Sequence, residues 1–335
     1  MDVRPLGNTG IDVSILGFGG APLGDLYARL DEVQAVGAVE AAARAGVTLF
    51  DTSPLYGHGM SELRVGAGLR RAGATAPVIC TKVGRVMDPF ARKAPGEGYV
   101  GGLSHRARFD YSRDGALRSI EQSLLRLGAE RLDIVLIHDV DVWTHGPAAI
   151  DARFAEAVSG AYAALADLRA QGVVRAIGVG VNEADMCVRF ARECDIDCVL
   201  LAGRYSLLER PAAADFLPLA LRRGIGVMLG GVFNSGILAT GAIPGATYNY
   251  RPAPPDVLAK TARIETVCRR HGVDLRDAAQ RFVLGHAAVS CVVLGAVSAA
   301  EVDAQIAAFA APIPPALWAE LKSEGLLEPD CPVPA

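Results

Sequence analysis

Eight short apolar runs, separated by segments with helical spacing, restrict the folds open to this chain more than any other feature. The runs cover residues 15–20, 47–50, 77–82, 133–138, 175–180, 197–202, 225–230 and 290–295. Most are apolar without alternation, which is typical of parallel strands buried on both faces. The segments between them close on glycines that favour helix ends, as at 31–46 and 114–128. Eight strand–helix units predict a (β/α)8 TIM barrel of the α/β class.

The chain is long enough for one large barrel or for two ordinary domains. Its 335 residues are 51% hydrophobic, which supplies a large core. Because no break in composition marks a boundary, we expect one barrel domain over residues 1–335. Residues 3–16, with the turn sequence GNTG, predict a β-hairpin that covers the N-terminal end of the barrel. Residues 314–325 predict one extra helix after the eighth unit.

Residues 83–111 form the longest stretch without a clear helix or strand pattern. The stretch follows the third apolar run and is rich in Gly, Pro and Arg. Loops of this length in compact domains are usually functional or disordered. Because this one leaves the carboxyl end of a barrel strand, we expect it to lie over the active-site face and to cover substrate.

Charge and composition argue against several classes of function. The formal net charge is -4 and there is no long basic block, so the sequence predicts no binding to nucleic acid or to an anionic membrane. No signal-peptide pattern is visible, and no apolar run reaches the ~18 residues of a membrane helix. Seven scattered cysteines are typical of buried thiols in a reducing compartment. We therefore expect a cytoplasmic protein without a metal site; the sequence does not indicate its oligomeric state.

Titratable side chains stand where three neighbouring apolar runs end. Asp51 follows the second run, Lys82 ends the third and His138 ends the fourth. Tyr56 lies in the loop after Asp51. The carboxyl ends of barrel strands all face one rim, where the active sites of such barrels are built. We therefore expect these four side chains to converge.

The chemistry of this set is that of proton transfer. A phenol has an ordinary pKa of about 10, and a nearby ammonium favours the phenolate and lowers that pKa. A carboxylate beside the ammonium keeps it charged. The set predicts a general acid/base at Tyr56, tuned by Lys82 and Asp51, with His138 placing the substrate. Trp143, in the loop after His138, is either a pocket wall that contacts substrate or an anchor of that loop.

These motifs resemble those of the aldo-keto reductase superfamily. The matching segments are GVTLFDTSPLYGHGMSELRVGAGL (46–69), TKVGR (81–85), SLLRLGAERLDIVLIHD (123–139) and AIGVGVN (176–182). The resemblance spans nearly the whole chain and implies a barrel that binds a nicotinamide cofactor without a Rossmann domain. It implies catalysis by Asp51, Tyr56, Lys82 and His138, with Asn182 bonding the nicotinamide carboxamide.

The resemblance also implies further cofactor contacts along the same rim. The residues concerned are Gly20, Asp51, Asn182, Tyr205, Gly230, Phe233, Gly295, Ser298, Glu301 and Gln305. Two positions depart from the common pattern of the family. Ala202 stands where many members have a Gln, and Gly230 and Gly231 stand where many have a Tyr that stacks on the nicotinamide. Phe233 lies close by and is the candidate replacement.

The segments AGRYSLLER (202–210) and GGVFNSGIL (230–238) resemble one branch of the superfamily. That branch contains L-fucose, L-galactose and D-threo-aldose dehydrogenases and pyridoxal 4-dehydrogenase. It implies oxidation of a cyclic hemiacetal to a lactone, with an aldose as the expected substrate and pyridoxal as the alternative. An NADPH-dependent reductase of aldehydes or ketones and a non-catalytic regulatory barrel are the other interpretations. A dinucleotide-binding fingerprint of the Rossmann type fails, because Pro22 stands at its third glycine position.

Charge in the segment after the eighth run predicts the choice of cofactor. NADP-specific relatives carry Lys or Arg there to hold the 2′-phosphate, whereas this chain has Gly295, Val297 and Glu301. A carboxylate repels a phosphate but accepts hydrogen bonds from ribose hydroxyls. We therefore expect NAD, with NADP as the alternative, and a small sugar or aldehyde as substrate. Glu301 is also explained as a first-turn residue favoured by the helix dipole, and the helix from Ser298 offers its N-terminus to a cofactor phosphate.

Overall fold

The structure is a computed structural model that describes residues 1–94 and 98–334. The predicted loop over 83–111 and the predicted domain over 1–335 therefore include positions, 95–97 and 335, that lie outside the described residues. The strands, in chain order, are β1 (Val3–Pro5), β2 (Asp12–Ser14), β3 (Leu16–Gly19), β4 (Leu49–Asp51), β5 (Val78–Val83), β6 (Arg85–Arg92), β7 (His105–Phe109), β8 (Ile134–His138), β9 (Ala176–Val181), β10 (Cys198–Ala202), β11 (Gly226–Gly230), β12 (Thr247–Tyr248), β13 (Arg251–Pro252) and β14 (Val289–Gly295). The α-helices are α1 (Glu32–Arg44), α2 (Met60–Ala72), α3 (Arg113–Leu127), α4 (Val142–His145), α5 (Ile150–Ala157), α6 (Ala163–Ala170), α7 (Ala184–Glu193), α8 (Phe216–Arg223), α9 (Ile237–Thr240), α10 (Pro255–Arg270), α11 (Leu275–Phe282), α12 (Ala299–Ala310) and α13 (Pro315–Ser323).

Eight parallel strands close into a barrel. Their order around the ring is β3, β4, β5, β8, β9, β10, β11 and β14, and β14 pairs with β3 to close it. Each predicted apolar run supplies one of these strands, with ends that agree within two residues. The predicted (β/α)8 barrel is therefore confirmed. Its strands are buried on both faces, which explains why their sequences are apolar without alternation.

The N-terminal hairpin closes one end of the barrel. β1 and β2 pair antiparallel, from Val3 opposite Ser14 to Pro5 opposite Asp12. Apolar side chains of this segment, Leu6 and Val13 among them, join the cluster that fills the barrel interior. The predicted hairpin is present at this end, and α13 is the predicted extra helix. The opposite, carboxyl end of the barrel is left for the site.

The described parts of 83–111, residues 83–94 and 98–111, include a hairpin where the Gly, Pro and Arg content predicts an irregular loop. β6 and β7 form an antiparallel hairpin, with Arg85 opposite Phe109 and Met87 opposite Ala107. Met87 is buried, and its backbone N–H and carbonyl both bond to the side-chain amide of Gln122 on α3. Buried and more exposed residues alternate along the first part of β6. The alternation appears in the burial and not in the hydrophobicity, because Arg85 is buried while Val86 is partly exposed, so no strand signal was visible in the sequence here.

The outer helices begin where local side chains cap them. α1 starts where the Asp31 side chain accepts a hydrogen bond from the Gln34 backbone N–H. α3 is capped by Ser112, because the Ser112 hydroxyl accepts from the Gly115 N–H. Within residues 1–94 and 98–334, no helix is long and apolar enough to cross a membrane.

Candidate active site

The four predicted catalytic side chains meet at the carboxyl end of the barrel. Asp51 is the last residue of β4, Lys82 lies next to the end of β5, and His138 is the last residue of β8. Tyr56 begins the short helical turn after β4. Because β4, β5 and β8 are neighbours in the ring, their ends bring a carboxylate, an ammonium, an imidazole and a phenol together.

Lys82 and Asp51 form a buried ion pair. The Lys82 Nζ donates to both carboxylate oxygens of Asp51, at 2.8 and 2.9 Å, and to the Thr52 carbonyl at 2.8 Å. Only 1% of the Lys82 side chain is exposed. Burial lowers the pKa of Lys82, but the charge and hydrogen bonds of Asp51, together with Tyr56 and Cys80, raise that pKa above its ordinary value. Lys82 is therefore a fixed cation.

That cation lies against the phenol of Tyr56. The Lys82 Nζ is 4.7 Å from the centroid of the Tyr56 ring. Burial raises the pKa of Tyr56 above its ordinary value, and the charge of Lys82 offsets only part of the rise. The predicted net lowering of this pKa is wrong for the chain without cofactor, although Lys82 acts in the predicted direction. Tyr56 is a neutral phenol until a second cation comes close.

His138 faces Tyr56 from the end of β8. The two rings meet edge to face, with centroids 5.9 Å apart. The Nδ1 of His138 lies 3.2 Å from the Ser53 hydroxyl and 3.3 Å from an Nη of Arg85. Burial, together with the charges of Arg85 and Lys82, lowers the pKa of His138 well below its ordinary value. His138 is therefore a neutral imidazole with one N–H to donate.

A buried tyrosine holds the backbone of His138 in place. The hydroxyl of Tyr111 donates to the His138 carbonyl at 2.8 Å. The carbonyl of Tyr111 accepts from the Ala161 N–H, in a π-helical turn that joins α5 to α6. A Cβ at Gly160 in that turn would lie 2.4 Å from the Tyr111 carbonyl oxygen, so glycine is required there. Turns of this kind often occur near functional sites. This one donates a hydrogen bond to Tyr111, which in turn positions the backbone of His138.

Asn182 follows β9 and lies between two carboxylates. Its Nδ2 donates to Asp141 at 3.0 Å and to Asp139 at 3.3 Å, and its backbone N–H donates to Asp141 at 2.8 Å. Arg204 donates its Nε to the carbonyl of Asn182 at 2.7 Å. Because these bonds use the donors of Asn182, its Oδ1 is left as the acceptor for a carboxamide N–H. This arrangement fits the role that the resemblance implies.

Glycines at the ends of β10 and β11 leave room beside Asn182. Asn182, Gly203 and Gly231 line one cleft. A Cβ at Gly230 would make only an ordinary contact, 3.5 Å from Leu200. Gly203 and Gly231 adopt left-handed backbone conformations that side chains disfavour. A floor without side chains and an amide acceptor beside it are the features that a flat nicotinamide ring needs.

Three of the other predicted cofactor contacts have partners within the protein, and their contact with a cofactor stays a prediction. Tyr205 is 1% exposed and stacks on Phe282, with centroids 5.5 Å apart. Gly20 is buried and donates its N–H to the Asp51 carbonyl. Phe233 is half-buried, with the Arg276 guanidinium 5.9 Å from its ring centroid. Sequence position placed these residues near the rim, but packing decided which surfaces are free.

The segment after β14 has the predicted helix start. Ser298 caps α12 by accepting from the Glu301 N–H at 3.2 Å, and Glu301 accepts from the Val297 N–H at 3.0 Å. Gln305 is buried and donates to the carbonyl of exposed Gly295 at 2.8 Å. Glu301 therefore stabilises the helix start, as one interpretation predicts, and its carboxylate stays exposed where a phosphate would be disfavoured.

Aromatic side chains that the sequence did not single out surround Tyr56. The ring of Tyr99 lies 6.4 Å from that of Tyr56, and Tyr250, in the turn between β12 and β13, lines the cleft with Trp143. The backbone of Trp143 is anchored by Glu183, while 51% of the residue is exposed. Trp143 thus lines the cleft with its backbone held by Glu183, and its contact with substrate stays a prediction. No motif marks Tyr99 or Tyr250.

Arg85, Ser53 and Asp139 are further polar neighbours of His138 that sequence reasoning missed. Arg85 closes the segment TKVGR and Asp139 follows His138 directly. The available signal was their position next to the strand ends. Nothing in the sequence showed that the side chains of Arg85 and Asp139 form an ion pair.

The fold and the site together define a class of protein. The barrel carries an acid, a phenol, an ammonium and an imidazole at its carboxyl rim, beside a glycine-lined cleft. This combination is typical of an oxidoreductase that works with a nicotinamide cofactor. The model of the Aldo/keto reductase family matches residues 15–324. The chain belongs to that family, whose enzymes use nicotinamide cofactors.

Relatives with assigned activities place the chain within the family. It is 40% identical over 334 residues to pyridoxal 4-dehydrogenase of Microbacterium luteolum, with 97% of each chain covered. It is 36% identical to D-threo-aldose 1-dehydrogenase of a Pseudomonas species, with 95% of this chain and 96% of the relative covered. An aldo-keto reductase from Bacillus halodurans, solved in its holo form, superposes with a TM-score of 0.74 at 25% identity, covering 98% of this chain and 97% of that one. The predicted resemblance to the pyridoxal and aldose dehydrogenase branch is confirmed.

Proposed function

We propose that this chain oxidises a cyclic hemiacetal to a lactone and passes the hydride to NAD. The convergence of Tyr56, Lys82 and His138 beside the acceptor of Asn182 carries the proposal. The relatives that are 40% and 36% identical supply the two candidate substrates, pyridoxal and a D-threo-aldose. Both compounds form cyclic hemiacetals, so one geometry serves either of them.

The reaction removes a proton and a hydride from one C–OH unit. Tyr56, as phenolate, accepts the proton of the hemiacetal hydroxyl while the hydride leaves the carbon, and the C–O bond becomes the lactone carbonyl. His138 donates its ring N–H to the same oxygen and orients the substrate. A bound oxidised nicotinamide supplies the hydride acceptor and a positive charge.

Tyr56 becomes a base only when two cations are near. Burial keeps the pKa of Tyr56 above its ordinary value in spite of Lys82. A second positive charge, from the oxidised nicotinamide, lowers the pKa further. This electrostatic requirement supports binding of the cofactor before the substrate. In the reverse direction the neutral phenol is the proton donor.

Charge also supports NAD over NADP. Residues 295–305 contain no Lys or Arg, whereas a 2′-phosphate is usually held by cationic side chains. Glu301 lies exposed in the first turn of α12 and adds a like charge. The cofactor diphosphate is compatible with the N-terminus of the same helix.

The cysteines support a reducing compartment. All seven lie among the described residues, where each is buried and unpaired. Thiols in this state are typical of cytoplasmic proteins, which is where we place this enzyme.

A substrate panel tests the proposal. L-fucose, L-galactose, D-arabinose, pyridoxal and simple aldehydes that cannot cyclise are assayed with NAD and NADP in both directions by nicotinamide absorbance. We expect turnover of cyclising substrates with NAD and a lactone product by mass spectrometry. Reduction of simple aldehydes by NADPH alone would make the chain a reductase instead. No turnover in either direction would leave a regulatory barrel.

A further inference from the structure

Arg85 is a buried cation that the proton-transfer scheme does not use. It begins β6, directly after the strand that carries Lys82, and is only 7% exposed. Its guanidinium lies 4.3 Å from the ring centroid of Phe109, which faces it across the hairpin. One Nη lies 3.3 Å from the Nδ1 of His138, and the other is 2.9 Å from an Asp139 oxygen. A guanidinium held on three sides is a rigid donor.

We propose that Arg85, anchored by Asp139, fixes His138 as the tautomer that carries its proton on Nε2 and points that N–H at the substrate. Arginine is a donor without an acceptor atom, so a hydrogen bond from Arg85 requires an unprotonated Nδ1. The neutral ring then has its single proton on Nε2. Arg85 is in this sense a positioning residue, since it acts through His138.

Ser53 does not settle the tautomer by itself. Its hydroxyl also lies near Nδ1, at 3.2 Å, and already accepts a hydrogen bond from the Leu55 N–H. A hydroxyl both donates and accepts, so it is compatible with a proton on either ring nitrogen. Of the two groups at Nδ1, Arg85 is therefore the one that admits a single tautomer.

Asp139 supports the same tautomer from the other side of the ring. Its Oδ1 lies 3.5 Å from the Nε2 of His138, which is longer than an ordinary hydrogen bond, so its charge favours a proton on Nε2 while that N–H can still donate to a substrate oxygen. The same oxygen receives the Nδ2 of Asn182 at 3.3 Å. Asp139 has a left-handed backbone, with φ of 55°, which is uncommon away from glycine. This strained position directs its carboxylate to Arg85, His138 and Asn182 together.

The charges that face His138 also favour its neutral form. Arg85 and Lys82 are cations that, with burial, lower its pKa well below the ordinary value. Asp139 is the anion that faces it, and it is paired with Arg85. Tyr56 and Ser53 complete the polar surroundings as neutral groups. A neutral ring with a donor at one nitrogen and an acceptor near the other has one stable protonation pattern.

Nitrogen NMR of labelled histidine tests the tautomer without any substrate. The whole chain is prepared with 15N-histidine, and the His138 signals are assigned by their loss in His138→Asn. In the wild-type chain we expect an unprotonated Nδ1 and a protonated Nε2 at neutral pH. In Arg85→Met we expect a mixture of tautomers or a proton on Nδ1. Arg108→Met, which removes an exposed arginine of the same hairpin, is the control and leaves the signals unchanged.

Two outcomes would overturn the proposal. A wild-type His138 with its proton on Nδ1 refutes it without any variant. The proposal can therefore be tested even if Arg85→Met folds poorly. An unchanged Nε2–H pattern in folded Arg85→Met also refutes it, because another group must then set the tautomer.

Kinetics test whether the tautomer matters, and this arm rests on the proposed function. Loss of a residue that orients a functional imidazole typically costs about 10- to 100-fold, and we expect a kcat/KM loss of that size in Arg85→Met. NADH affinity, measured by fluorescence, changes much less than kcat/KM, because Arg85 reaches Asn182 only through Asp139. Asn182 keeps its bond to Asp141 in the variant. Arg85→Lys, which keeps the charge and a donor, restores part of the activity.

The pH profile separates positioning from a merely structural role. Removing the Arg85 cation lets the pKa of His138 rise toward its ordinary value, so activity is lost at a higher pH in Arg85→Met than in the wild type as the solution is acidified. An identical acid limb in both proteins refutes the electrostatic part. If the wild-type chain oxidises no hemiacetal, the proposed function fails while the NMR result still decides the tautomer.

Discussion

Replacing Lys82 with methionine tests the electrostatic core of the site. The substitution keeps most of the apolar stem and removes the ammonium that lies 4.7 Å from the Tyr56 ring centroid. With the phenolate charge placed at that centroid and an effective dielectric constant of about 20, the lost attraction is about 3.5 kcal/mol. One pKa unit corresponds to about 1.36 kcal/mol, so the pKa of Tyr56 rises by about 2.6 units and the phenolate fraction falls about 400-fold.

The fate of Asp51 makes this figure an upper bound. Without Lys82 the Asp51 carboxyl is buried and has lost its partner. If it stays ionised, it disfavours the phenolate as it already does in the wild type, and the loss stays near the Coulomb value. If it takes up a proton, that repulsion disappears and the loss is smaller.

The assay is kcat/KM for lactone formation across neutral and alkaline pH, read from nicotinamide absorbance. We expect Lys82→Met to be up to about 400-fold slower at neutral pH and its alkaline activation to move upward by up to about 2.6 pH units. Lys322→Met, a lysine of α13, is the matched control, and circular dichroism verifies the fold. A folded Lys82→Met within about tenfold of wild type, with an unmoved pH profile, would refute the reasoning.

Three further substitutions test separate parts of the molecule. Tyr56→Phe removes the proton acceptor, so turnover falls about 10²- to 10⁴-fold, whereas NADH binding by fluorescence is unchanged; equal loss of both would argue for a structural role. Glu301→Arg replaces a charge that repels a phosphate with one that can bind it. A charge-assisted hydrogen bond of about 1.5–3 kcal/mol raises the ratio of kcat/KM with NADP to kcat/KM with NAD by about 10- to 100-fold. An unchanged ratio would show that this position does not set selectivity. Ser298→Ala removes the cap of α12 and lowers the free energy of unfolding by about 1 kcal/mol in urea titration, while Ser298→Thr retains it; equal stabilities for the two would contradict the cap.

Local patterns in the sequence were enough for the fold. Each apolar run became a barrel strand because a strand buried on both faces needs apolar residues throughout. The polar residue at the end of such a run, such as Asp51 or His138, was therefore placed at the rim without any knowledge of contacts. Asp31 marked the start of α1 for the same local reason, since its side chain bonds to a backbone three residues away. These are properties of neighbours along the chain.

Contacts between distant segments could not be predicted in this way. Arg85 and His138 are 53 residues apart and meet only because β5 and β8 are adjacent in the ring. Tyr205 lies near a strand end in sequence, yet its ring faces Phe282 in the core. The hairpin β6–β7 was missed because the buried positions of β6 include Arg85, so burial does not follow hydrophobicity there.

The sequence by itself determined the barrel, the four polar side chains at its rim and the family to which the chain belongs. Only the tertiary structure decided that the pKa of Tyr56 is raised, that Arg85 contacts the Nδ1 of His138 and that Tyr205 is closed off. The physical reason is that strand and helix patterns depend on residues close along the chain. Desolvation and charge pairing depend instead on which distant groups fill the space around a side chain.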